Sequence, residues 1–161
     1  MRVGIGYDSH RFAEGEGRKL ILGGVEIPHP RGLVGHSDAD AVAHALTDAL
    51  LGAAGLGDIG QMFPPTDPRW RNADSLDLLK RAYLRVVETG LTFVSADITV
   101  ILEQPRLARY LEDMRENLAD AVVSGYSTVS VKAKTNEGMG WIGRGEGVAV
   151  LAVALLEQAR V

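Results

Sequence analysis

Asp8 and His10 stand two residues apart at the end of Met1-Arg-Val-Gly-Ile-Gly-Tyr7, a stretch that reads as a short strand opening into a loop. In an extended chain, side chains two apart point to the same side. A carboxylate and an imidazole therefore face one point in space, and both bind divalent transition metals. His44, on a predicted helix, is a third candidate ligand. The chain has no cysteine, so a zinc centre has to be built from histidine and carboxylate. Three protein ligands leave one coordination position open, which is the pattern of a catalytic zinc and not of a structural one.

Asp40, His44 and Asp48 are spaced by four on that helix and so share a face. His44 would ligate a metal there while a carboxylate one turn away orients its ring. Taken alone, the spacing fits a solvated helix face better; Asp8 and His10 reverse the preference to the metal. The helix is expected to begin near Ser37 as its N-cap, with Asp38 and Asp40 in the first turn. Its free backbone N–H groups, with His36 beside them, would make a phosphate site. His29, between Pro28 and Pro30, reads as an ordinary turn residue.

A second dense signal runs from Lys132 to Gly147. A strand ends near Thr135, Asn136 and Glu137, and glycines then punctuate the chain, letting backbone approach a ligand. Lys134, Thr135 and Arg144 are typical phosphate partners, and Glu137 could hold a hard cation such as Mg²⁺. The Gly-Lys-Ser/Thr order of a Walker loop is absent. A flexible hairpin with solvated charges is the plainer alternative. The long stretch from Gly55 to Pro68 contains Asp58-Ile-Gly60 and Phe63-Pro-Pro-Thr-Asp67 and lacks regular periodicity. It reads as a surface loop or as a lid over a site.

Positioning these groups requires a scaffold. Arg2 to Gly6 reads as a strand, Leu20 to Ile27, which contains Gly23-Gly24, as a hairpin closing near Pro28, and Ser37 to about Ala53 as a helix with Val42, Ala45, Leu46, Ala49, Leu50 and Ala53 inward. A second helix starts near Asp74, carries Leu76, Leu79, Tyr83, Val86 and Val87 on one face, and ends at Gly90. Val94 to Leu102 is a strand, a third helix follows Pro105, and Val129 to Lys134 alternates as a strand. Gly145 to Gln158 is apolar almost throughout, so periodicity does not separate buried strand from helix; its glycines and valines favour a strand. The expectation is a single domain over residues 1–161, α/β with α+β character. It has a mixed four-stranded sheet with helices on one face and a small hairpin.

With 161 residues the chain can bury roughly 70% of its unfolded surface and needs no disulfide or structural metal. A net charge of -4 argues against a nucleic-acid-binding module. The longest apolar run, Gly147 to Leu156, is too short to cross a bilayer, and no secretion signal is evident, so the cytoplasm is the expected location.

Four motifs in order resemble the 2-C-methyl-D-erythritol 2,4-cyclodiphosphate synthase family: Gly6-Tyr-Asp-Ser-His-Arg-Phe12; His36-Ser-Asp-Ala-Asp-Ala-Val-Ala-His-Ala-Leu-Thr-Asp-Ala-Leu-Leu-Gly52; Leu56-Gly-Asp-Ile-Gly60; and Gly143-Arg-Gly-Glu-Gly147. The likeness covers nearly the whole chain, and the second motif is long and specific. It implies a homotrimer with sheets facing one another and active sites between adjacent subunits. The substrate would be a cytidine diphosphate ester of methylerythritol 2-phosphate. Its 2-phosphate attacks the β-phosphorus, CMP leaves and a cyclic diphosphate forms. Asp8, His10 and His44 match the family's zinc ligands, Glu137 the residue tied to a second ion (Mg²⁺ or Mn²⁺), and His36 and Thr135 the polar residues that stabilise the transition state.

The resemblance also carries substrate contacts. Ser9 and Ser37 flank the metal motifs. Asp58, Ile59, Gly60, Phe63, Pro64, Pro65, Thr66 and Asp67 match the loop that holds the methylerythritol phosphate end. Leu102, Glu103, Gln104, Pro105, Arg106, Leu107 and Ala108 match the cytosine pocket, where backbone groups read the base, and Lys134 and Asn136 flank Thr135. Trp141 and Arg144 match positions near the trimer axis, where relatives can hold isoprenoid diphosphates. Three positions depart from the family pattern: Pro65 replaces a common acidic residue, Lys134 a small hydroxyl residue and Trp141 a phenylalanine.

Overall fold

The computed structural model describes residues 1–125 and 128–159. Its centre is a sheet of β1 (Arg2–Arg11), β4 (Leu91–Ile101), β5 (Val129–Lys134) and β6 (Gly147–Gln158) in the order β1-β6-β4-β5. Only β4 and β5 run parallel, so the sheet is mixed. The hairpin of β2 (Leu20–Leu22) and β3 (Val25–Ile27) stands apart from it. The helices α1 (Ala41–Ala54), α3 (Ser75–Glu88) and α4 (Leu111–Ala121) complete the main elements. Two single turns, α2 (Ile59–Met62) and α5 (Gly140–Gly143), lie in the connections.

β1 is longer than expected. It pairs with β6 from Arg2↔Leu156 to Arg11↔Gly147, so Asp8 and His10 lie within the ladder and not in a loop beyond it. The ambiguous C-terminal segment supplies this partner and is a strand, as its valines and glycines suggest. In β4, Leu91 and Phe93 share one parity and Ala96, Ile98 and Val100 the other, yet all are buried. A register shift between Phe93 and Ser95 resets the alternation, as an extra bulge residue does.

The first motif's glycines let α1 lie on β1. A Cβ on Gly4 would sit 2.0 Å from the Ala49 carbonyl oxygen, and one on Gly6 1.8 Å from that of Ala45. The helix answers with Ala45, Ala49 and Ala53, small residues at i, i+4 and i+8. This close approach brings His44 against the strand that carries Asp8 and His10.

α1 begins later than its sequence suggests. Its N-cap is Asp40, whose carboxylate accepts from the N–H groups of Val42 and Ala43 and also from Gly23 and Gly24 of the hairpin turn. Asp40 is wholly buried. Ser37 is therefore not the cap, and the α1 N-terminus is no free phosphate site, because Asp40 already occupies its donors. Asp40 and His44 do not form a solvated face either.

α3 starts where expected, capped by Asp74. Val87, expected inward, is exposed. Leu78 and Ala82 are buried instead, joining Leu51 and Phe63 in an apolar cluster beneath the 59–70 segment. The helices cover one face of the sheet. On the other face Val3 (68% exposed), Ile5 (70%) and Tyr7 (55%) of β1 adjoin Leu151 and Val153 of β6, and no element among the described residues covers them. No helix among the described residues is long and apolar enough to cross a membrane.

Candidate functional site

Asp8, His10 and His44 converge as proposed from their spacing. Asp8 Oδ2 lies 2.8 Å from His10 Nε2 and 3.1 Å from His44 Nδ1, and the two ring nitrogens are 3.2 Å apart. A tetrahedral ion with bonds of 2.0–2.1 Å separates its ligands by roughly 3.3 Å, so the triangle fits one zinc ion. Two imidazole nitrogens facing each other repel unless a proton or a metal ion stands between them, and the donor set of two histidines and one carboxylate suits the metal. Burial pushes the Asp8 carboxyl up, but the bonds and charges of His10 and His44 outweigh it and hold it at about 2. Burial pushes His10 down; its bond to Asp8 and that carboxylate's charge more than reverse this, so its pKa is raised.

Each ring is oriented from behind. His10 Nδ1 bonds to the Val34 carbonyl at 2.7 Å, which directs Nε2 to the centre. Gly35 permits this: a Cβ there would lie 3.1 Å from His10 Cε1. The carboxylate expected one turn from His44 is not its partner. Asp40 caps the helix, and Asp48 accepts from the Ile59 N–H at 2.7 Å. His44 Nε2 instead meets Ser75 Oγ at 2.8 Å and Ser37 Oγ at 3.1 Å.

The cluster opens into a pocket lined by His36, Ser37, Ile59, Gly60, Phe63, Pro65, Trp70 and Leu78. His36 Nε2 approaches the Asp67 carbonyl at 3.4 Å. Of the 58–67 positions singled out from the sequence, Ile59, Gly60, Phe63 and Pro65 line this pocket. Asp58 turns away to cap α2 at the Gln61 N–H, and Asp67 pairs with Arg69. Pro64 and Thr66 do not line the pocket. Trp70, absent from the sequence reading, packs edge-on against Phe63 at 5.0 Å between ring centres.

A second pocket lies between the β4 exit and the β5 end. Leu102, Glu103, Pro105, Arg106, Leu107, Ala108, Lys134 and Thr135 line it, together with Leu111 and Ala133. Gln104 faces an adjoining hollow with Pro28, Arg109 and Tyr110. Glu103 Oε1 accepts from the Asn136 N–H at 2.7 Å and holds the loop that follows β5. Thr135 Oγ1 donates to Glu137 Oε1 at 3.2 Å, and Glu137 sits at a φ of 53°. Glu137 is not part of the three-ligand cluster within this chain. Ser9 lines a third hollow with His10, Arg11, Trp141 and Glu146. Arg144 is paired with Glu146 at 2.6 Å. Sequence reasoning missed Ser75, because only the fold brings it to His44; no motif marks it.

The YgbB family pattern matches residues 1–157. A protein of Rubrobacter xylanophilus named 2-C-methyl-D-erythritol 2,4-cyclodiphosphate synthase is 58% identical over 159 residues, covering 98% of this chain and 96% of that protein. One of the same name from Moorella thermoacetica is 54% identical over 156 residues, covering 97% and 94%. The bifunctional IspDF of Campylobacter jejuni superposes with a TM-score of 0.93 at 46% identity, over 98% of this chain and 42% of that one. A CDP-bound 2C-methyl-D-erythritol-2,4-cyclodiphosphate synthase superposes with a TM-score of 0.87 at 41% identity, over 97% of this chain and all of that one. Near-complete coverage, high identity and a shared fold agree, and the chain belongs to the YgbB family.

Proposed function

We propose that this enzyme cyclises 4-diphosphocytidyl-2-C-methyl-D-erythritol 2-phosphate to 2-C-methyl-D-erythritol 2,4-cyclodiphosphate with release of CMP, in the cytoplasm, for isoprenoid precursor synthesis. The observation that carries this reading is the three-ligand cluster of Asp8, His10 and His44 opening into a pocket, in a chain so similar to proteins of that name. Zinc held by these residues would act as Lewis acid and template at a phosphate oxygen.

The substrate's own 2-phosphate oxygen forms the new bond to the β-phosphorus, and the bond from that phosphorus to the oxygen of the leaving CMP breaks. No protein nucleophile is needed, so the chain's work is positioning and charge stabilisation. His36 and Ser37 border the cluster, and the His36 ring can donate to phosphate oxygens. Ile59, Gly60 and Phe63 shape the wall against the polyol. Thr135 presents its hydroxyl at the mouth of the second pocket, where Leu102 to Ala108 would take the cytosine. Glu137, beside Thr135, is the proposed holder of Mg²⁺.

The two pockets measure about 180 and 250 Å³, each below the ~300 Å³ at which ligand pockets begin. A site completed by joining one subunit's metal pocket to its neighbour's second pocket accounts for both. The uncovered apolar face of β1 and β6 supports such a trimer, since contiguous exposed apolar patches mark interaction surfaces. An isoprenoid diphosphate at the trimer axis would have to compete with Glu146 for Arg144.

Phosphorus NMR of the purified protein with the cytidine diphosphate substrate, with and without Zn²⁺ and Mg²⁺, tests the reading. Two coupled cyclic diphosphate signals with equimolar CMP, lost on adding chelator, are expected. Release of inorganic phosphate would make the protein a phosphoesterase, and absence of turnover with zinc bound would make it a binding protein.

A further inference from the structure

Behind His44 lies a buried chain of hydroxyls and a carboxylate in which Ser75 and Asp38 have no role in the reading above. Ser75 is the first residue of α3 and is wholly buried. Its Oγ donates a short hydrogen bond to Asp38 Oδ1, and its N–H donates to Asp38 Oδ2 at 3.1 Å. The same Oγ lies 2.8 Å from His44 Nε2 and 3.3 Å from Ser37 Oγ. Ser37 Oγ in turn accepts from the Ala39 N–H at 3.2 Å. The segment around Asp38 is laced to the one before α3: the Asn72 N–H donates to the His36 carbonyl at 2.9 Å and the Asp38 N–H to the Ala73 carbonyl at 3.1 Å.

The directions of these bonds follow from what each group can do. A carboxylate only accepts, and a hydroxyl has one proton to give and two lone pairs. Asp38 takes the Ser75 proton. Ser75 Oγ is then left with acceptor capacity alone, filled by the proton on His44 Nε2 and by the Ser37 hydroxyl. With Nε2 holding its proton, Nδ1 is the nitrogen left to face Asp8 and His10, and a metal bound there would displace the proton that Nδ1 shares with the Asp8 carboxylate.

We propose that Asp38 and Ser75 are positioning residues that set the His44 tautomer and so prepare Nδ1 to ligate the metal before it arrives. Partners of this kind behind a ligating histidine hold ring orientation and basicity. Without Asp38 as acceptor, the Ser75 hydroxyl could donate to Nε2, and the ring proton would move to Nδ1 and block the site. The relay also ties the metal site to the start of α3, a contact made across 31 residues of sequence.

This inference rests on the metal reading, and the test separates the two. Zinc affinity of the wild type and of Ser75→Ala is measured by competition with a fluorescent chelator. The His44 tautomer is read from long-range proton–nitrogen NMR of the metal-free protein at mildly alkaline pH. The wild type should carry the proton on Nε2. Ser75→Ala should lose about 10- to 100-fold in zinc affinity and show mixed tautomers, with the melting temperature of the metal-free protein nearly unchanged. Asp38→Asn should fall between them and serves if Ser75→Ala does not fold. Zinc affinity within twofold of wild type in the folded variant, or a wild-type His44 with no proton on Nε2, overturns the proposal. A wild type that binds no zinc overturns the metal reading itself, and this inference with it.

Discussion

The two pockets are built by opposite means. The metal pocket is made of side chains that converge from β1, α1 and the 59–70 segment, each oriented by a named partner: Val34 behind His10, Ser75 behind His44. The second pocket is made largely of a turn, 102–108, with apolar walls from Leu107, Leu111 and Ala133. Chemistry that depends on particular ligand atoms tolerates few residue types, whereas the second pocket, proposed to read a base through backbone groups, would tolerate many. Substitutions should therefore be severe on one side and mild on the other.

The largest effect is expected at the ligands. His44→Ala or His10→Ala should remove tightly bound zinc and lower kcat by about 1,000-fold or more, several kcal/mol of transition-state stabilisation. The fold should remain, since the core needs no metal, and circular dichroism with metal analysis checks both. Unfolding of either variant would make the metal structural. Next is Gly6→Ala, whose methyl group would meet the Ala45 carbonyl oxygen at 1.8 Å. Helix α1 has to move off β1, costing about 1–3 kcal/mol in a urea titration and carrying His44 away from Asp8. Gly15→Ala, with open space around it, should change neither quantity.

Thr135→Ala joins the two halves of the comparison, because it lines the second pocket but is assigned to the transition state. A fall in kcat of roughly 10- to 100-fold with little change in KM is expected; the opposite split in steady-state kinetics would assign Thr135 to ground-state binding. Acidification should weaken zinc binding in the metal pocket alone. Metal binding must displace the His10 proton, and that proton is held more tightly than in a free imidazole by its bond to Asp8, despite burial. Because the raised pKa belongs to the folded state, this proton stabilises the metal-free protein below the ordinary histidine range. That stability is lost as pH rises through the raised value. Asp8, held at about 2, stays ionised throughout. Melting curves of metal-free protein across neutral pH check the sign, and His10→Asn should flatten the slope. The smallest effect is expected at Arg106 in the second pocket, where replacement by alanine should change KM by no more than about threefold, the discrimination of an exposed contact worth well under 1 kcal/mol.

Local periodicity was enough wherever geometry is local. The alternation of β5, the Asp74 start of α3 and the shared side of Asp8 and His10 are all readable within a few residues. The starting point of α1 was not, because Ser37 and Asp40 are equally good caps in isolation. Asp40 is chosen by the Gly23 and Gly24 N–H groups, contributed by a hairpin some sixteen residues earlier. The inward face of α3 was misjudged at Val87 and Leu78 because the 59–70 segment, which has no periodicity of its own, packs against that helix. Phe93 and Ala96 could share a core only through a shift in register that no composition signals.

The sequence by itself therefore determined which three residues could share a metal, the cysteine-free chemistry, and the order of the main strands and helices. These are properties of residue type and of spacing within one element. The tertiary structure decided which nitrogen of His44 faces Asp8 and His10, which carboxylate stands behind it through Ser75, and that two small pockets form from separate elements. Such choices depend on pairs far apart in the chain, His44 with Ser75 and Glu103 with Asn136, whose meeting is set by packing of the whole sheet and its helices and leaves no local pattern to read.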